Sequence, residues 1–193
     1  MLRAAYDKML KYSGHPRAVQ ILGFISFIES SFFPFPPDPL YIAMLIENRK
    51  KAWYYAAVCT ITSVLGGLLG YYIGYALYET IGRWIIESYG LQDKFQELQD
   101  SFNTWGFWII ALKGLTPIPY KLVTITCGVI HFDIWIFVLA SLIARASRFY
   151  MLAGLLYKYG EPIKTFIDKN LTMVTIVGFT ALAGGFYVIK YIF

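Results

Sequence analysis

Six charged residues sit inside otherwise apolar stretches: Glu29, Asp38, Lys113, Lys121, Arg145 and Arg148. A charge at the centre of a membrane helix costs about 2.5–3.5 kcal/mol on insertion scales, so such residues pair with one another, line a cavity, or both. Carboxylates set among bases are able to carry protons across a membrane. Four bases against two acids leave a surplus of positive charge that internal pairing does not cancel. An anionic ligand does cancel it, and a lipid phosphate is the anion most available in a bilayer. Arg145 and Arg148 are three residues apart and share one helix face. Structural pairing and snorkelling account for Lys113 and Arg148 as well as ligand binding does, whereas Glu29, Asp38, Lys121 and Arg145 are expected to act on a ligand.

Other chemistries find no constellation. His15 and His131 lack metal-ligand spacing, and no metal or cofactor is expected. Ser30 and Ser31 have no histidine nearby, so a nucleophilic triad is excluded and the protein is expected not to be an enzyme. Gly66, Gly70 and Gly74 are not followed by Gly-Lys-Ser/Thr, which removes a phosphate-binding loop. Their four-residue spacing instead lets helices approach closely, and Ser63 and Ser141 are expected to help helices adhere. Cys59 and Cys127 lie in apolar runs and form no CxxC pair, as expected of buried thiols.

The elements that must hold the charges are apolar helices. Of 193 residues 58% are apolar and 15% charged, against about 25% charged in a soluble domain. Too little polar surface remains to coat a water-soluble globule. Aromatics reach 19%, and Tyr and Trp favour membrane interfaces. The net charge of +5 does not point to nucleic acid, because the bases flank apolar segments rather than gather on a polar domain.

Residues 52–78 contain no charge over 27 positions and form the clearest transmembrane helix. Residues 132–157 and 171–190 make two further spans. Residues 18–48 and 105–131 differ, being interrupted by Pro34, Pro36 and Pro37 in one and by Pro117 and Pro119 in the other. Prolines so dense break a helix, and each arm is too short to cross. Both segments are therefore read as re-entrant hairpins. Residues 79–104 are expected to form an amphipathic linker helix outside the core, and residues 1–17 an amphipathic N-terminus. No signal peptide is evident, and the sequon at Asn170 falls on the cytoplasmic side of the expected topology.

These pieces form two similar halves. Pro34 precedes Trp53 by 19 residues, and Pro117 precedes Trp135 by 18. Basic residues concentrate in the N-terminus, at 49–51 and in 158–169, but are sparse in 79–104. The positive-inside rule places the first three in the cytoplasm and the last outside. The second half then enters from the opposite face, giving inverted repeats with a site near the midplane.

The run from Glu29 through Pro34-Phe35-Pro36-Pro37 to Asp38 resembles the first signature of the DedA family of VTT-domain membrane proteins: an acid, a Pro-rich turn, and a second acid nine residues on. The run from Lys113 through Pro117-Ile118-Pro119 to Lys121, ending at Gly128, resembles the second, with lysines where the family usually has arginines, as in its YqaA-like subgroup. The resemblance covers roughly residues 21–160. It implies two re-entrant hairpins in inverted repeat, a bacterial inner-membrane location and lipid transport, of polyprenyl phosphate or phospholipid, in some members driven by the proton gradient. Glu29 and Asp38 match the family's essential acids, and Lys121 and Lys113 take the place of its essential arginines. Lysine is a point charge without the bidentate fork of arginine.

The expectation is an all-α integral membrane protein that translocates an anionic lipid in support of envelope homeostasis. Membrane lipids and protons are its expected partners, and association with a second copy is open. A proton-coupled carrier of a small soluble ion or metabolite, and a non-transporting membrane scaffold, are the rival readings.

Overall fold

A computed structural model describes residues 17–31, 37–113 and 120–169. Among them every regular element is helical. The chain runs α1 (Ala18–Ser31), α2 (Asp38–Glu47), a short 3₁₀ turn (Arg49–Lys51), α3 (Ala52–Leu77), a π-helical turn (Tyr78–Gly82), α4 (Arg83–Ser88), α5 (Gln92–Lys113), α6 (Tyr120–Val129) and α7 (Ile134–Lys169). All but Arg17 of the expected amphipathic N-terminus, the span at 171–190, and Pro34, Pro36, Pro117 and Pro119 lie outside the described residues.

Local chemistry sets several helix starts. α2 begins at Asp38 with Pro37 as its cap residue and Pro39 in the first turn, where a missing N–H costs nothing and the fixed φ suits a helix. Asp133 caps α7, its carboxylate accepting the backbone N–H groups of Trp135 and Ile136, each at 2.9 Å. α3 is apolar throughout. Thr60 and Thr62 return their hydroxyls to the carbonyls of Ala56 and Val58, so they expose no unmet donor to an apolar surround.

Two helical stretches, Arg49–Ser88 and Ile134–Gly160, are long and apolar enough to cross a membrane. They run antiparallel: Trp53 stacks on Tyr150 and lies beside Tyr157 at one end, and Tyr71 packs on Phe137 toward the other. Their outward faces carry Ile61, Leu65, Leu139, Leu142, Ile143 and Leu155, all exposed, as lipid-facing surfaces require. α1 and α6 pack on α3, α2 and α5 pack on α7, and α3 meets α7 directly. One core joins α1, α2, α3 and the later turns of α7 through Leu22, Tyr41, Leu45, Tyr55 and Phe149. A second joins α5, α6 and the first turns of α7 through Phe102, Ile110, Cys127, Phe132 and Phe137.

The glycine row of α3 does what its spacing implies. A Cβ at Gly66 would meet the backbone of Phe27 in α1, and one at Gly74 the backbone of Ile125 in α6. Gly128 of α6 in turn packs on the backbone of Tyr71. α3 is thus gripped between α1 and α6 at near backbone contact.

The structure draws three boundaries differently from the sequence reading. The linker at 79–104 is not one helix. Its first part continues α3 through the π turn to Ser88, and its second part is the start of α5, because the chain turns at Gly90, whose φ of +62° only glycine adopts readily. α5 then runs unbroken through 104–105 to Lys113, joining linker to the expected first arm of the second hairpin. No glycine or proline between Leu91 and Trp105 ends it. Likewise α7 continues past 157 to Lys169, with non-helical angles at Tyr159, so the expected basic loop is helical.

Candidate functional site

Ser63 lies eleven residues beyond Ala52 in α3, and Arg145 eleven beyond Ile134 in α7. At 1.5 Å per residue both stand about 16 Å along their helices, roughly half the hydrocarbon thickness of about 30 Å. Since the helices are antiparallel, the two residues face each other at mid-depth.

Around Arg145 a buried polar network closes. Its guanidinium is 2% exposed and lies 3.5 Å from Glu29 Oε2. The same Nη2 donates to Ser30 Oγ at 3.4 Å. Ser30 Oγ in turn donates to Glu29 Oε2 at 3.2 Å and lies 2.7 Å from Ser63 Oγ. The Tyr120 ring of α6 supports the guanidinium from one face, with the ring centre 3.8 Å from Cζ, a desolvated cation–π contact. α1, α3, α6 and α7 thereby each contribute a side chain to one point.

A second pair stands nearby on the same face of α7. Arg148 donates to Asp38 Oδ2 at 2.6 Å, joining α7 to the first turn of α2. This pair is partly exposed, at 39% and 26% for the two side chains, while Tyr41 of α2 donates its hydroxyl to the carbonyl of Phe149. The two acids of the Pro-rich segment are thus each matched to one arginine of α7, 116 and 110 residues further on in the chain.

Lys121 is half-buried at the start of α6 and makes no ion pair among the described residues. It does not touch Arg145; its neighbour Tyr120 does. Lys113 closes α5, and its side chain lies outside the described residues. Pro37 precedes α2, as above. No group of His, Cys, Asp and Glu able to hold a metal occurs among the described residues. His131 stacks on Tyr75 and faces Glu79 at 3.5 Å, at the far end of α3 from Trp53.

Sequence reasoning gave Ser63 a helix-packing role and assigned no role to Ser30 or Tyr120. Hydroxyl side chains carry no charge to flag them inside an apolar run. The available signal was position: Ser63, Gly67, Gly70 and Gly74 recur at helical spacing and mark the face of α3 on which helices converge.

Paired charges at mid-depth of two antiparallel apolar helices, wrapped by shorter helices, define a helical membrane protein. A family model for the VTT domain matches residues 35–158, 124 of the 193 positions. The chain belongs to the VTT-domain family. It is 34% identical over 169 residues to a Haemophilus influenzae protein described as uncharacterized, covering 88% of each chain. It is equally similar, with the same coverage, to a Histophilus somni protein described as the HI0703 homolog. It is 28% identical to the Golgi apparatus membrane protein TVP38 of Eremothecium gossypii, over 96% of this chain and 62% of that longer one. No solved structure matches it.

Proposed function

We propose that the protein is a translocase for an anionic membrane lipid, a phospholipid or polyprenyl phosphate, coupled to protons and making no covalent change in its cargo. The observation that carries this reading is the Arg145–Glu29 pair at mid-depth between the two candidate spans. A buried guanidinium balanced by a carboxylate is poised for exchange. Protonating Glu29 removes its charge, and a headgroup phosphate then becomes the better partner for Arg145. Asp38 and Arg148 repeat the arrangement one turn away. Lys121, which makes no ion pair among the described residues, supplies attraction for the headgroup as a point charge.

We read the packing as two inverted repeats. α1 lies on α3 as α5 lies on α7, and α2 crosses to α7 as α6 crosses to α3. Trp53 and Trp135 begin the two central helices, and Ser63 and Arg145 each follow ten residues later. In this reading the short helices on either side of 32–36 and 114–119 are re-entrant arms, the membrane is the bacterial inner membrane, and the N-terminus is cytoplasmic.

The test is reconstitution of the purified protein into phosphatidylcholine vesicles carrying a trace of fluorescent phosphatidylglycerol, with leaflet exchange followed by chemical quenching. Wild type is expected to exchange the anionic probe faster than a phosphatidylcholine probe. Glu29→Gln, Asp38→Asn and Arg145→Gln are expected to lower exchange by about ten-fold or more while still inserting. Equal exchange of both probes, or full activity in the acid variants, overturns the reading.

A further inference from the structure

We infer that Tyr120 Oη, Ser141 Oγ and Arg145 Nε form a subsite for an oxygen of a phosphate group, opposite the edge of Arg145 that holds Glu29. The subsite rests on the translocase reading only for placing that phosphate on a lipid; its donors define an oxyanion site in either case.

Three observations carry it. The Arg145 guanidinium spends Nη2 on Glu29 and Ser30, but its Nε is buried and has no hydrogen-bond partner among the described residues. Tyr120 Oη and Ser141 Oγ are buried as well, close to each other and to Arg145 without a well-aligned hydrogen bond between them. Tyr120 is 5% and Ser141 0% exposed. Ser141 is one turn ahead of Arg145 on the same face of α7, and the Tyr120 ring lies against the guanidinium. The three unmet groups are therefore neighbours.

Gly67 sets the position of the Tyr120 hydroxyl. Gly66 and Gly74 are packed against the backbones of α1 and α6, so their lack of a side chain is used for helix contact. At Gly67 a Cβ would instead stand 2.8 Å from Tyr120 Oη. The Tyr120 ring edge and Thr124 Cγ2 would stand 3.1 and 3.3 Å from the same Cβ, so Gly67 lets the Tyr120 side chain pack directly on α3 and fixes where its hydroxyl stands.

All three groups are able to donate hydrogen bonds, and Arg145 Nε–H does nothing else, so an acceptor satisfies the three together. A phosphate oxygen accepts several at once, and charge-assisted bonds to it are the strong ones. Glu29 does not saturate Arg145. Their separation of 3.5 Å exceeds the roughly 2.7–2.9 Å of a charge-assisted N–H···O bond, whereas Arg148 and Asp38 close to 2.6 Å. Of the two arginines, Arg145 is the one with a buried donor left without a hydrogen bond.

The experiment uses the full-length protein in phosphatidylcholine nanodiscs titrated with phosphatidylglycerol, and in detergent titrated with inorganic phosphate. Tyr120→Phe and Ser141→Ala each delete one hydroxyl and little volume. Each is expected to weaken phosphate-group binding by about ten-fold with phosphatidylcholine retention unchanged. Gly67→Ala is expected to weaken binding by displacing the Tyr120 hydroxyl, from which its methyl would stand 2.8 Å. A response to phosphatidylglycerol alone assigns the phosphate to a lipid headgroup, and a response to inorganic phosphate assigns it to a free anion. Binding of neither by wild type, or wild-type affinity in both hydroxyl variants with unchanged melting, overturns the subsite. A wild type that binds phosphatidylglycerol through Tyr120 and Ser141 but exchanges no lipid between leaflets sinks the translocase reading and leaves the subsite standing.

Discussion

Arg145 is among the largest fully buried side chains of the protein, and its charge is tolerable only with company. Removing one member of a buried pair strands the other and costs about 3–5 kcal/mol, whereas replacing both by apolar groups is often neutral. Glu29→Leu is therefore expected to lower stability by about that amount. Glu29→Leu with Arg145→Met is expected to recover most of the loss. Thermal melting in detergent separates these cases, and a double variant no more stable than the single one defeats the pairing argument. On the translocase proposal the recovered double variant is expected to remain inactive in lipid exchange, having lost the exchangeable pair. Ser30 and Ser63 belong to the same unit. Ser30 contacts the carboxylate, the guanidinium and Ser63 at once, so deletions here are not expected to add independently.

Among the elements, α3 is the organiser, and its glycines decide how near its neighbours stand. At Gly66 and Gly74 an added Cβ meets carbonyl backbone, which cannot swing aside as the end of a flexible side chain does. Gly66→Val and Gly74→Val are expected to push α1 or α6 outward at a cost of about 1–3 kcal/mol or more. Outward movement of α1 carries Glu29 away from Arg145, and outward movement of α6 carries Tyr120 away from it. Both variants should then lower melting temperature and lipid exchange together. Gly154→Ala, whose new methyl would stand 3.6 Å from the Trp53 ring, is expected to be near neutral and serves as the control. Equal melting of all three variants with wild type removes close packing as the function of the glycine row. The end of α6 shows a different device. His131 occupies the left-handed position, with φ of 55°, that glycine usually fills after a helix. The Phe132 N–H bonds back to the Cys127 carbonyl at 2.9 Å, and the histidine ring gains contacts with Tyr75 and Tyr78.

On the scale of the whole molecule the two ends of the paired helices are chemically distinct. Trp53, Tyr150 and Tyr157 gather at one end, beside Arg49 and Lys50, and Tyr75, Tyr78, Phe95 and His131 at the other. The first end carries the basic cluster at 49–51, which is why the proposed topology has it in the cytoplasm. Asp93 stands near the opposite end, because Phe95 stacks on Tyr78. Cys59 and Cys127 are buried and are expected to stay silent toward aqueous thiol reagents. An impermeant reagent added to intact cells is expected to label Asp93→Cys and not Lys50→Cys. Labelling of both from one side contradicts the topology and the inverted repeat with it.

Composition and pattern alone determined that this chain is helical and made for a membrane. They located the uncharged helix at 52–78, which ends at Leu77 in the structure, the close-packing glycines and the VTT-family membership. These properties are local or additive: an apolar run, a four-residue spacing and a Pro-rich motif are all read along the chain. The choice of partners was not legible in the same way. Glu29 and Arg145 were visible as expensive charges, but their pairing, and that of Asp38 with Arg148, depends on which helices cross at mid-depth. That is set by backbone contact at Gly66 and Gly74, more than a hundred residues' separation notwithstanding. Lys121 looked equivalent to Arg145 in sequence, yet the turn of α6 directs Tyr120 to the guanidinium instead. The boundary at 104–105 failed for a related reason. Polar and apolar stretches of one helix read as two elements, while α5 runs straight through because packing on α7 and the absence of a breaker let it continue. Hydroxyls such as Ser30, Ser63 and Ser141 acquire meaning only through what lies across from them, and tertiary structure alone decides that.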